Sequence, residues 1–349
     1  MEYKVYAEDI TLNLLKLVLS VGLLIAGLSV MGAMTAHVIS LTVTMLLLFY
    51  FVHRLIPLNR PLSGAKRNSA EMLRFTLPLY LSRLLSKFSG SIETLVLGSF
   101  NIMSEVGIYT TALRLSSIGS LFHYSLQRIA VPMISDLHDR GKLGELNRVY
   151  QVMTKWGMTF NLPIFLTITI FAKPLLAIFG SDFVAGANGL VILAFGTLFN
   201  ASTGVCGSIV TMTGHSKLTF ANSIIYLGTN IALDLLFIPQ WGGLGAALAV
   251  TLSGILINVL RLIEIFTLLR IWPYDRSFLK PLTAALISAG ATFLINKQLM
   301  LLVPSLLQVA IGTLLLWSIY TLAIVLLKLS EEDRLILGRL WGRLNTWRS

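Results

Sequence analysis

The sequence predicts an all-α integral membrane protein. Three observations carry that reading. Of its 349 residues, 55% are hydrophobic and only 12% charged, with a mean hydropathy of +0.80, more apolar surface than a water-soluble chain of this length can bury. Apolar runs of about 20 residues recur along the chain, the length that crosses a bilayer core. Basic residues gather in alternate connections between those runs, as expected of membrane topology, so the net charge of +11 gives no reason to invoke nucleic acid.

Taken in order, the runs predict about ten transmembrane helices: A 12–30, B 32–52, C 75–98, D 105–132, E 150–172, F 185–212, G 218–238, H 243–268, I 279–297 and J 304–327. Arg54, Arg60, Lys66, Arg67 and Arg74 stand between B and C, and Arg140, Lys142 and Arg148 between D and E. Lys217 stands between F and G; Arg270, Arg276 and Lys280 between H and I. With these loops on one side, both termini are expected in the cytoplasm. The tail "SEEDRLILGRLWGRLNTWRS" opens with acidic residues after Ser330, a helix start. It then interleaves Leu335, Leu340, Trp341, Leu344 and Trp347 with Arg334, Arg339 and Arg343, the pattern of a helix lying on a membrane surface. Cys206 is the single cysteine, which excludes an internal disulfide and any cysteine-based metal site.

A short repeat organises the chain. Helix B contains "GAMTAHVIS" from Gly32, helix H contains "GAALAVTLS" from Gly245, and both follow a glycine-containing turn. Small residues at such intervals allow helices to approach closely. Read as a parallel repeat, C to H form one complete six-helix lobe, and A and B are the last pair of a first lobe. The four leading helices of that lobe would start roughly 140 residues before Met1. The expected organisation is residues 1–52, the last helix pair of an incomplete lobe; 53–74, a basic cytoplasmic loop; 75–268, the six-helix lobe; 269–327, two additional helices; and 328–349, an amphipathic basic tail.

The order and spacing of several stretches resemble the polysaccharide (O-antigen-type, lipid-linked oligosaccharide) flippases, in the superfamily that also holds the multidrug extruders. These are "RFTLPLYLSRLL", "LGSFNIMSEVGIYTTALRL", "VPMISDLHDRGKLGELNRVY", "TGHSKLTFANSIIYLGTNIALDLLFIP" and "GGLGAALAVTLS". The resemblance implies two six-helix lobes around a central cavity, in a cell inner (cytoplasmic) membrane. It also implies an undecaprenyl-diphosphate-linked oligosaccharide moved across the bilayer by alternating access for surface polysaccharide biosynthesis, with glycan polymerase or glycosyltransferases as neighbours.

The site candidates are charges inside the apolar spans. In helix C, Arg83 and Lys87 are four residues apart and share a face with Gly90, Ser91 and Thr94, while Ser82, Ser86, Ser89 and Glu93 widen the polar sector. In helix D, Arg114, Ser117, Leu121, Ser125 and Arg128 lie near one stripe. A charge at mid-bilayer costs about 2.5–3.5 kcal/mol, so these side chains are expected to line a watery cavity. There, Arg and Lys suit a diphosphate. Glu93 is read as a counter-ion to Arg83 or Lys87, or as a proton-coupling carboxylate. The competing explanation of all these charges is pairing that only holds helices together. Asp234, just before Pro239, reads as a helix-end contact, and His37 and His123 as packing residues. No H-E-x-x-H, P-loop or G-x-S-x-G motif occurs, so neither an enzyme nor a cofactor is expected. The alternatives are a multidrug/cation extruder, which should place carboxylates in its cavity, and a truncated, non-transporting membrane protein.

Overall fold

A computed structural model describes residues 11–55, 69–100, 103–299 and 305–327. The described chain falls into two units, Met1–Asn68 and Ser69–Ser349. Much of the basic loop 53–74 and the whole of the tail 328–349 lie outside the described residues.

The first unit is a helical hairpin, α1 (Leu12–Ile25) and α2 (Ser29–Leu55). Its turn closes α1 with two crossed hydrogen bonds, Leu28 N–H to the Leu23 carbonyl at 3.0 Å and Gly27 N–H to Leu24 at 3.1 Å. That arrangement needs a left-handed residue, and Gly27 supplies φ +86°. Gly32, Ala36, Ser40 and Thr44 form the buried stripe of α2, at four-residue intervals. Its other faces leave Met34, Val38, Met45 and Leu46 more than 60% exposed, as lipid-facing surface should.

The second unit begins with α3 (Ser69–Ser99), followed by α4 (Met103–Ser116), α5 (Ile118–Asp139), α6 (Leu143–Ile170) and the short α7 (Ala172–Ala177). After a 3-10 turn at Ser181–Gly186 come α8 (Ala187–Ser202), α9 (Cys206–Met212) and α10 (Ser216–Leu269). A second 3-10 turn, Arg276–Phe278, leads to α11 (Leu279–Leu299) and α12 (Ser305–Leu326). A straight helix of α10's 54 residues would measure about 81 Å. The chain instead turns back at Gly242, whose φ +53° and ψ −128° suit no L side chain. A Cβ on Gly245 would strike the Phe237 carbonyl, so the two arms nearly touch beyond the bend. Gly32 stands in a similar corner, where a Cβ would lie 3.1 Å from Leu23 Cβ.

Helices D and F, expected to be continuous, are each broken. Between α4 and α5 the hydroxyls of Ser116, Ser117 and Ser120 bond back to the carbonyls of Leu113, Arg114 and Ser117 at 2.9, 2.7 and 2.6 Å. These side chains compete with the backbone ladder and interrupt it. Between α8 and α9 the chain passes Gly204 at φ +65°, against Thr154, and the Thr203 carbonyl accepts the Tyr150 hydroxyl at 3.0 Å. Helix E starts earlier than expected, at Leu143.

Three apolar clusters hold the unit. One gathers Leu97, Tyr109, Ala112, Leu190, Leu193 and Ile238. A second gathers Ile134, Leu146, Tyr150, Val205, Ile209 and Ile265. The third packs α11 and α12 on α6 through Met158, Leu162, Ala284 and Tyr320. The Tyr320 hydroxyl fixes that docking by donating to the Thr159 carbonyl at 2.9 Å. Among the described residues five helices are long and apolar enough to cross a membrane, α10 among them. The protein is an all-α, multi-pass membrane protein.

Candidate functional site

The second unit holds its polar groups in three places: an open basic face, a buried acidic seam and a cavity. Each is set by helix position.

The basic face lies on α3, α4 and α5. Arg83, Lys87, Arg114 and Arg128 are all exposed at the surface of the unit. Among the described residues, Arg83, Lys87 and Arg114 form no ion pair. None of the four lines the cavity described below; it is Ser86, Ser116 and Ser120, their neighbours on the same helices, that do. Glu93 departs from its expected role as a counter-ion to Arg83 or Lys87. It sits on the opposite side of α3, only 3% exposed, because the helix turns it toward α10.

The acidic seam runs between α3 and the first arm of α10. Ser82 and Ser223 share a hydroxyl–hydroxyl hydrogen bond. Eleven residues further along both helices, roughly 16 Å up the seam, Glu93 comes within electrostatic range of Asp234. The two helices therefore run parallel and in register. Asp234 is not the helix-end contact expected from its place before Pro239: it is 0% exposed, and among the described residues neither carboxylate oxygen has a hydrogen-bond partner. One turn before it, the fully buried Asn230 faces Glu93, and the Tyr109 hydroxyl beside them has no hydrogen-bond partner among the described residues. Two carboxylates in so dry a place carry a desolvation and repulsion penalty that a proton or a small monovalent cation between them removes.

The cavity, about 330 Å³, lies among α3, the α4–α5 break, α8 and both arms of α10. Its lining includes Ser86, Ser120, Thr197, Asn200, Asn258 and Arg261. On α4–α5, α8 and the second arm of α10, the lining residues fall between the members of the first apolar cluster and those of the second. The cavity is thus a polar layer between the two apolar clusters.

Arg261 was missed in the sequence because it stands near the end of helix H, where a basic residue reads as a topological marker. The Gly254, Asn258, Arg261 spacing, one polar stripe in an apolar helix, was the available clue. Of the two histidines expected to pack within apolar spans, His123 does so, 4% exposed with Gln127 Nε2 at 2.8 Å from its Nε2. His37 is exposed instead.

A bent helical unit with a basic face, a buried acid pair and a polar layer places the chain among all-α, multi-pass membrane proteins. Residues 1–188, more than half the chain, match the family of polysaccharide biosynthesis proteins, and the chain belongs to it. Among curated relatives, it is 28% identical over 184 residues to the capsular polysaccharide biosynthesis protein CapF of Staphylococcus aureus, covering 52% of this chain and 46% of that one. It is 24% identical over 257 residues to the probable low-salt glycan biosynthesis flippase Agl15 of Haloferax volcanii, covering 73% and 54%. The chain thus spans about half the length of these relatives. Its fold is similar to that of the lipid II flippase MurJ in an inward closed conformation, with TM-score 0.64 and 18% identity over 89% of this chain and 65% of that one. It is also similar to the Vibrio cholerae MATE transporter VcmN in its bent form, with TM-score 0.60 and 18% identity over 75% and 61%.

Proposed function

We propose that this protein is a flippase for a polyprenyl-diphosphate-linked oligosaccharide, working by alternating access in surface polysaccharide synthesis. The observation that carries the reading is the basic face. Arg83, Lys87 and Arg114 stand exposed and unpaired on helices whose neighbours are apolar, at a cost of about 2.5–3.5 kcal/mol each if they faced lipid. That cost disappears beside an anionic ligand in water, and arginine in particular holds phosphate oxygens two at a time. The relative Agl15, named as a probable low-salt glycan biosynthesis flippase, supports the substrate class. A cation extruder would instead put carboxylates on the open face; here the carboxylates are inside.

The remaining parts fit the same cycle. The Glu93–Asp234 seam, with Asn230, is the place where a proton or a monovalent cation couples to the movement of α10 against α3. The chain sits in the cytoplasmic membrane with both termini inside and about ten crossings. Residues 75–268 form the six-helix lobe and residues 1–52 the closing hairpin of another. Polymerase or glycosyltransferases that act on the same lipid-linked glycan are its natural neighbours.

The test is reconstitution. The chain is placed in liposomes with a fluorescent polyprenyl-diphosphate sugar, and a membrane-impermeant quencher reports the fraction reaching the outer leaflet. Flipping should be fast with the wild type and absent with Arg83→Ala or Arg114→Ala. Equal rates in protein-free and protein-containing liposomes would overturn the assignment.

A further inference from the structure

We propose that the internal cavity is an oxyanion site of the phosphate class, with Arg261 as its charge partner, separate from the basic face on α3 and α4. The first reason is charge. Arg261 is the only charged side chain among the residues lining the cavity, and no Asp or Glu joins it there. The acid that would ordinarily neutralise it is Glu264, one helical turn further on. Glu264 is turned away and accepts a hydrogen bond from Asn222 Nδ2 at 2.8 Å, tying the two arms of α10 together. Among the described residues Arg261 has no ion pair. A half-buried guanidinium with its local acid diverted is a cation kept available.

The second reason is shape and donor supply. Gly207 faces the guanidinium, and a Cβ built there would lie 3.6 Å from Arg261 Cζ, so any larger side chain would press on the fork. Opposite, Asn258 Nδ2 donates to Asn200 Oδ1 at 3.1 Å. That bond fixes the Asn200 amide and leaves its own NH2 without a partner among the described residues. A planar fork and an oriented amide on separate helices, with serine and threonine hydroxyls around them, suit a group that presents several oxygens in different directions. About 330 Å³ is far more than a halide needs and is enough for a phosphate or diphosphate, not for a lipid-linked glycan as a whole.

The phosphate could reach the cavity free in solution or on a lipid. The shared chemistry is the same, and binding can be read without transport, so this inference stands apart from the flippase reading. The purified chain in nanodiscs is titrated calorimetrically with inorganic pyrophosphate at constant ionic strength. Saturable binding is expected. Arg261→Gln should weaken it by roughly tenfold or more, and Arg261→Lys, which keeps the charge and loses the fork, by less. Lys173→Gln, which removes an exposed cation elsewhere, should leave it unchanged. Gly207→Val retains Arg261 and crowds it, so weaker binding with unaltered thermal melting supports the site even if Arg261→Gln does not fold. Nanodiscs containing a polyprenyl diphosphate distinguish the sources: competition with pyrophosphate assigns the site to a lipid-borne group, and its absence to a free one. No pyrophosphate binding by the wild type, or equal affinity in Arg261→Gln, Arg261→Lys and Gly207→Val, overturns the proposal.

Discussion

Gly242 is the residue on which the bend of α10 turns, and Gly242→Ala tests whether the bend is held as the structure indicates. Two costs add. The first is backbone strain: φ +53° with ψ −128° lies outside the conformations open to alanine, a penalty of about 1–3 kcal/mol. The second is Glu105 of α4. Its carboxylate accepts the Gly243 N–H at the start of the second arm, and a Cβ on Gly242 would fall onto that carboxylate. Pushing Glu105 away forfeits a charged hydrogen bond of about 1.5–3 kcal/mol, so the total is about 2.5–6 kcal/mol. Glu105→Ala alone should cost about 1.5–3 kcal/mol. The double variant should cost no more than Gly242→Ala alone, because the same hydrogen bond is lost once, leaving a coupling of about 1.5–3 kcal/mol. Equilibrium unfolding in mixed micelles, followed by tryptophan fluorescence with Trp241 adjacent to the bend, measures all three. Additive costs, or a Gly242→Ala variant within about 0.5 kcal/mol of wild type, would refute the account.

Four further outcomes are expected. In a strain dependent on this chain for surface glycan, Arg83→Ala and Arg114→Ala should abolish export while protein abundance in the membrane stays near normal, and Arg83→Lys should retain part of it; loss of the protein itself would favour a packing role. Asp234→Asn and Glu93→Gln should make flipping in liposomes insensitive to an imposed proton or sodium gradient, and a gradient response equal to wild type would remove the seam from coupling. Cysteine placed at Asp182 should react with an impermeant maleimide from outside, and cysteine at Asp139 only after permeabilisation, against a low background because Cys206 is 2% exposed; the reverse pattern would invert the topology. Tyr320→Phe should lower stability by about 0.5–1.5 kcal/mol through the lost hydrogen bond to the Thr159 carbonyl, measured by the same unfolding assay.

The apolar runs announced the fold because hydropathy in a bilayer is a one-dimensional constraint, readable residue by residue. What escaped was whatever depends on a neighbour far away in the chain. Glu93 was visible as a charge inside a span, yet its partner was sought among Arg83 and Lys87 on its own helix, when the true neighbours, Asn230 and Asp234, lie 137 and 141 residues on in a parallel helix. Asp234 was discounted for standing close to Pro239, although Asn230 and Asp234 four residues apart already made a polar face on a greasy helix. The breaks at Ser117 and Gly204 were hidden for a different reason. A serine cluster and one glycine interrupt a helix through local hydrogen bonding, with no change in hydropathy.

The parallel pairing of α3 with the first arm of α10 also sets a schedule for making the protein. The chain must be extended by 141 residues after Glu93 has been synthesised before Asp234 exists to face it. At ordinary translation speeds of about 5–20 residues per second, that interval is roughly 7–28 s. Throughout it, α3 has already been delivered to the insertion machinery with Ser82, Ser89 and Glu93 on a side that has no mate. The seam therefore closes late, when the first arm of α10 docks on the oldest helix of the unit.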